Sequence, residues 1–149
     1  MQARFLVGCT AVVSAIGLTL LPHALSQTRG TLQGRGVVHG SAFTRGRMAN
    51  VALTIEGDNF GLELAEQTRT GARVQYRGII TRQPNTPTNS GNFTLNGRVR
   101  SFNTSTNLRA LNNTTGNCRI EVFDSRVISS NCNTVAPDSS TQFLGLEQF

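Results

Sequence analysis

The chain of 149 residues contains no lysine and no tryptophan, and it has one tyrosine, two histidines and three cysteines. The lack of tryptophan argues against a transmembrane β-barrel, because such barrels carry aromatic girdles at both membrane interfaces. The terminal Phe149 is typical of the closing strand of an outer-membrane barrel, but Glu147 occupies a position where that signal has an apolar group. We therefore expect a fold of another kind.

The shortage of histidine and cysteine also limits the chemistry that the chain can support. His39 is the one histidine beyond residue 26, and a single imidazole cannot make a metal ligand set. Asp58 and Asp124 lie in predicted turns, which explains them without catalysis. Glu63 and Glu121 would form an acid pair only on adjacent strands. The sequence therefore predicts no catalytic residue, no metal and no cofactor, and an enzyme is the least favoured functional class.

Residues 1–26 have the features of a signal peptide that is removed on export. Arg4 is the only charge in this segment, an apolar run covers residues 5–21, and Pro22 ends the run. Small residues at Ala24 and Ser26 then match the pattern before a cleavage site. An uncleaved anchor helix is the alternative, but the run is at the lower limit of the length that spans a bilayer. The sequence predicts one mature domain, residues 27–149, located outside the cytoplasm, either periplasmic or secreted.

Two cysteines remain beyond the predicted leader, because Cys9 lies inside it. In an oxidising compartment, an even number of cysteines favours pairing, so we predict a disulfide between Cys118 and Cys132. Residues 118–123 and 127–132 form the two strands of a predicted hairpin with a three-residue loop, 124–126. This hairpin places Cys118 opposite Cys132, Ile120 opposite Ser130 and Val122 opposite Ile128.

The remainder of the mature sequence alternates apolar and polar residues with a period of two, which is typical of β-strands. A first strand is expected in the glycine-rich residues 31–43, and a short one at residues 109–111. One hairpin, with its turn at residues 56–59, pairs Ile55 with Phe60, Leu53 with Leu62 and Val51 with Leu64. The next joins residues 73–82 to residues 92–102 through an exposed loop, 83–90, and pairs Ile80 with Phe93 and Tyr76 with Gly97.

These segments add up to seven or eight antiparallel strands in about 120 residues, a length typical of one domain. The predicted fold class is all-β, either a small antiparallel up-and-down barrel or a compact sandwich. The interior of so small a barrel is either filled by side chains or wide enough for one small ligand. Both possibilities stay open at this point.

All 14 basic residues of the chain are arginine, and without Arg4 thirteen arginines face 8 carboxylates, a net charge near +5. Arg98 and Arg100 share the polar face of one predicted strand, with Arg73 and Arg77 on its neighbour, and together they would form a basic stripe that binds anions.

Two functions therefore remain. The first is an exported binding or structural module that presents loops such as 83–90 to a small molecule, a glycan or a protein. The alternative is an arginine-rich surface that holds anionic polymers or head groups. No specific nucleic-acid motif and no transmembrane segment of the mature chain is expected.

Overall fold

A computed structural model of the chain describes residues 30–40, 42–82, 91–105 and 109–146. These residues form strands and the turns between them, with no helix that could span a membrane. The strands in chain order are β1 (Gly30–Gly40), β2 (Phe43–Glu56), β3 (Asn59–Glu66), β4 (Arg73–Arg82), β5 (Phe93–Thr104), β6 (Arg109–Leu111), β7 (Gly116–Phe123), β8 (Arg126–Thr134) and β9 (Thr141–Gly145). The predicted signal peptide and the loop 83–90 lie outside the described residues.

Eight of the described strands close into an antiparallel up-and-down barrel. Each strand from β1 to β4 pairs with the one that follows it in the chain. The strand β5 then pairs with β7, β7 with β8, and β8 with β9, and β9 pairs with β1 to complete the ring. The three-residue β6 pairs only with β5, beside the barrel wall. The predicted all-β class is confirmed, and of its two variants the barrel is the one that forms.

The barrel interior is occupied by apolar side chains from all eight strands. Alternate residues of a strand face opposite sides of the sheet. The predicted period of two therefore directs the apolar residues into the barrel and the polar residues to its outer surface. One buried cluster contains the inward residues, the largest of which are Tyr76, Phe43, Phe143, Leu53, Leu62, Leu64, Leu95 and Ile120. Full burial of side chains of this size contributes roughly 1.5–3 kcal/mol each, so the filled interior is the main source of stability.

The β2–β3 hairpin confirms its predicted register in full. Ile55 lies opposite Phe60, Leu53 opposite Leu62 and Val51 opposite Leu64. Gly57 occupies the turn with a φ of 59°, a conformation that suits glycine. The strand β2 begins eight residues earlier than expected, because its first half pairs with β1 around an irregularity near Gly46, which breaks the alternation.

The predicted register of the β4–β5 hairpin is wrong. Ile80 lies opposite Gly97 instead of Phe93, and Tyr76 lies opposite Phe102 instead of Gly97. The shift is four residues at Ile80, and an even shift keeps the inner face inward, so alternation alone cannot detect it. At Tyr76 the shift is five residues, because an irregularity lies between the two pairs. Two register irregularities within the same pair of strands add to the shift.

The β7–β8 hairpin confirms the pairing of Cys118 with Cys132 and of Ile120 with Ser130. The sulfur atoms lie at disulfide distance, the Cα atoms are 4.1 Å apart, and both residues are buried in the barrel. The third predicted pair is wrong, since Val122 lies opposite Val127. The turn contains only Asp124 and Ser125, with φ angles of 50° and 59°, and Ile128 becomes the extra residue of a bulge.

Replacing both Cys118 and Cys132 by alanine is expected to lower the free energy of unfolding by about 3 kcal/mol, because a closed loop of about 15 residues is released in the unfolded chain. Urea denaturation of the oxidised wild type and of the double variant measures the difference. Reduced wild type serves as the control and should match the variant. An unchanged unfolding midpoint would contradict this contribution of the cystine.

Gly97 and Gly61 form a matched pair for testing the packing inside and outside the wall. A Cβ atom on the inward Gly97 would come within 2.9 Å of three ring atoms of Phe60, whereas a Cβ on the outward Gly61 meets no atom within 4 Å. Gly97→Ala is expected to destabilise the barrel by about 1–3 kcal/mol through overpacking. Gly61→Ala should stabilise it by about 0.5–1 kcal/mol, because alanine loses less backbone entropy. Thermal unfolding that ranks the two variants in the opposite order would refute this packing.

Candidate functional site

The structure places all four arginines of the predicted stripe on the outer surface of β4 and β5. Arg73 and Arg77 lie on β4, Arg98 and Arg100 lie on β5, and each of the four is exposed. The two strands are adjacent and antiparallel. The side chains therefore project from one continuous part of the wall.

Arg77 and Arg100 line one surface depression of about 590 Å³. A register shift brings them together: Arg77 lies opposite Ser101 and Gly78 opposite Val99, so Arg100 is an extra residue on β5. The floor of the depression includes Gly61 on β3, which has no side chain to fill it. Two guanidinium groups at the rim of one open depression can contact the same anion.

Arg73 differs from the other three arginines because it forms an ion pair with a carboxylate. Its Nε lies 3.3 Å from Glu63 Oε1 on the neighbouring strand β3. Such exposed ion pairs contribute about 0–1 kcal/mol to stability, but they balance the charge locally. By contrast, none of Arg77, Arg98 and Arg100 forms an ion pair with another described residue. Three members of the predicted stripe thus have no ion pair with another described residue, and Glu56 lines the same depression as Arg77 and Arg100.

Arg119 on β7 extends this surface, and the prediction from sequence missed it. It lies opposite Asn96 on β5, and its Nη2 is 3.4 Å from Glu121 Oε1. Alternation from the inward Cys118 could have placed Arg119 outside, but only the β5–β7 pairing brings it beside the other arginines. We name the outward faces of Arg77, Arg98, Arg100 and Arg119 the basic wall. Within it Arg119 has a carboxylate partner, as Arg73 does, and it is included because the β5–β7 pairing places it beside the others.

Charge is distributed unevenly around the barrel. The strands β4 and β5 contain five arginines and no carboxylate. The strands β2 and β3 contain two arginines and three carboxylates: Arg45, Arg47, Glu56, Glu63 and Glu66. Adjacent strands are about 4.8 Å apart. Arg77 and Arg100 lie at nearly the same level of neighbouring strands, so their charges add at short range. The basic wall therefore concentrates positive potential on one side of the molecule.

The barrel interior holds a buried hydrogen-bonded cluster at one end. The Tyr76 hydroxyl donates to the Ser139 carbonyl oxygen and accepts a hydrogen bond of 2.9 Å from Thr141 Oγ1. The Tyr76 ring packs against Phe102 with 5.1 Å between ring centroids. Burial raises the pKa of Tyr76 well above its usual range, and the Thr141 hydrogen bond offsets part of that increase. The cluster joins β4 to the β8–β9 connection and covers this end.

The other candidate groups do not converge. Glu63 lies on β3 and Glu121 on β7, and these strands are not neighbours, so they form no acid pair. His39 is exposed on β1, opposite Gln142. Within the part of the chain that the structure describes, no group of three or more histidine, cysteine or carboxylate side chains could hold a metal ion. Ser130 Oγ and Thr114 Oγ1 are buried there without a hydrogen-bond partner.

Comparison with known proteins adds no family to this description. The sequence matches no protein-family model, and no curated protein or solved structure matches it either. Inferences about function therefore depend on the geometry and charge of the barrel surface.

Tyr76 is the single tyrosine of the chain, so its ionisation can be followed alone by ultraviolet absorbance. Because its pKa is raised in the folded protein, the unfolded chain releases the proton first, and stability is lost as pH rises above the ordinary tyrosine pKa of about 10. Tyr76→Phe should remove this alkaline loss. At neutral pH the variant should be less stable by about 1–3 kcal/mol, because a buried carbonyl loses its donor. A normal tyrosinate titration in the folded wild type would contradict the burial.

Proposed function

We propose that this protein is an exported binding module that holds an anionic polymer on the basic wall. The observation that carries the proposal is the projection of arginines from β4, β5 and β7 on one side of a barrel, with no carboxylate on β4 or β5 and one, Glu121, on β7. Guanidinium groups present planar pairs of donors that match carboxylate, sulfate and phosphate groups. Several such groups on rigid adjacent strands favour an extended anion over a single small one.

The filled interior favours this outer surface over a ligand inside the barrel. The inward side chains of all eight barrel strands belong to one buried apolar cluster, and the buried tyrosine is bonded to groups of the protein itself. A small ligand in the interior would have to displace these side chains, at a cost in buried apolar area. Exposed arginines need no such rearrangement.

Export is part of the proposal and is supported by two independent features. Residues 1–26 carry the leader pattern, and the Cys118–Cys132 pair at disulfide distance is compatible with an oxidising compartment. Anionic polymers are available to such a module outside the cytoplasm, as cell-surface or matrix polymers. The stable barrel then serves as a rigid carrier for its charged surface.

The triple variant Arg77→Gln, Arg98→Gln and Arg100→Gln tests the basic wall. A matched control replaces Arg35, Arg45 and Arg47 on β1 and β2 by glutamine, which changes the net charge equally. Binding to long-chain polyphosphate and to alginate is measured by isothermal titration calorimetry over a series of salt concentrations. The wall variant should bind about tenfold more weakly at low salt, and its slope of log affinity against log salt should be shallower by about 2–3. The control should stay within about twofold.

Two results would count against the proposal. If both triple variants lose the same affinity, the binding depends on net charge alone and the basic wall has no special role. If the wild type binds neither polymer at low salt, an exported anion-binding module is refuted. Circular dichroism of each variant confirms that the barrel is intact.

A further inference from the structure

A second depression lies beside the basic wall, and asparagine side chains dominate its lining. It occupies about 330 Å³ on the outer surface of β5, β7 and β8, next to the end of β4. Its outward polar side chains are Asn96, Asn117, Asn131, Asn133, Thr81 and Arg119. We name it the asparagine depression. No carboxylate lines it.

The strand registers explain how these side chains meet. Arg119 on β7 lies opposite Asn96 on β5 and opposite Asn131 on β8, so three outward side chains form one row. Asn117 lies between Arg98 and Asn133 in the next row. Within a row the side chains lie on adjacent strands about 4.8 Å apart, and the two rows are two residues apart along each strand.

The four amides are available to a ligand. Among the described residues, none of the four asparagine side chains forms a hydrogen bond to another part of the protein. Each primary amide offers two donors and one acceptor oxygen. Asparagine is also disfavoured in β-strands, so four of them on three adjacent strands reduce the local preference for sheet.

We propose that the asparagine depression binds the hydroxyl groups of a sugar chain, and that the polymer held by the protein is an acidic polysaccharide. This inference rests on the proposed function, since the acidic groups of the same chain contact the basic wall. Arg98 and Arg119 connect the two surfaces, because Arg98 lies opposite Asn117 and Arg119 lies within the depression. One bound polysaccharide chain could therefore contact the guanidinium groups of the basic wall and the amides of the asparagine depression at the same time.

The chemistry of the depression separates a polysaccharide from other polyanions. A sugar hydroxyl both donates and accepts, as an amide does, whereas ionised phosphate groups only accept and leave the amide oxygens unused. Single-stranded nucleic acids bind mainly by stacking on aromatic side chains. Phe123 is the only exposed aromatic residue among those that the structure describes, and it lies at the far end of β7, beyond Glu121. A polysaccharide is the polymer that uses both surfaces.

The triple variant Asn117→Ala, Asn131→Ala and Asn133→Ala tests this inference without changing the charge. A matched control replaces Gln33, Asn50 and Gln67, which are exposed amides on another part of the barrel, by alanine. The probes are alginate, dextran sulfate and long-chain polyphosphate at equal charge concentration. The asparagine variant should bind alginate and dextran sulfate about tenfold more weakly, because several net hydrogen bonds are lost. Its polyphosphate affinity, and all affinities of the control, should change less than about twofold.

The possible outcomes separate this inference from the proposed function. If the asparagine variant binds all three polymers like the wild type while the arginine variant still loses affinity, the polysaccharide inference is refuted and the basic wall stands. An equal loss for polyphosphate and alginate would also overturn it, since the amides would then not discriminate sugar hydroxyls. If no polymer binds the wild type, both proposals fail.

Discussion

The barrel closes through four residue pairs between β1 and β9, and the position of every outward side chain depends on this closure. Val38 faces Phe143 on the inner side of these pairs, and both are fully buried. Gly36 faces Gly145, where a Cβ on Gly36 would lie 2.8 Å from the Gly145 Cα atom, so only glycine allows this approach of the backbones. Without the closure, β1 and β9 would expose unpaired backbone groups that invite pairing with other chains.

Closure also separates the roles of the two faces of the wall. The interior carries stability, because large apolar side chains from every barrel strand pack together there. Outward side chains can differ without disturbing the core. On this outer surface the basic wall carries charge, and the asparagine depression lies next to it. Because the core holds the strands in place, the arginines and asparagines on the outside keep fixed positions relative to one another.

Local patterns predicted the β2–β3 register in full and the β7–β8 register in part, and both hairpins have short turns. The β2–β3 register followed from alternation and from Gly57, because a tight turn leaves the two strands no freedom to slide. The Cys118–Cys132 pairing followed in the same way, although the bulge at Ile128 shifted the pairs nearer the turn. The β4–β5 register could not be predicted, because no short turn joins these strands and an even shift preserves the inner face, while an irregularity near Gly78 adds one more residue.

On the surface, too, some features follow from alternation within one strand and others only from the pairing of distant strands. The amino-acid sequence by itself determined the all-β class, the apolar interior and the outward placement of Arg73, Arg77, Arg98 and Arg100, because these depend only on a period of two within each strand. Only the tertiary structure decided that Glu63 neutralises Arg73, that an irregularity joins Arg77 to Arg100, and that Arg119 lies among asparagines from three strands. Those neighbours come from separate strands, and their proximity is a property of strand order, register and bulges, which no single segment encodes.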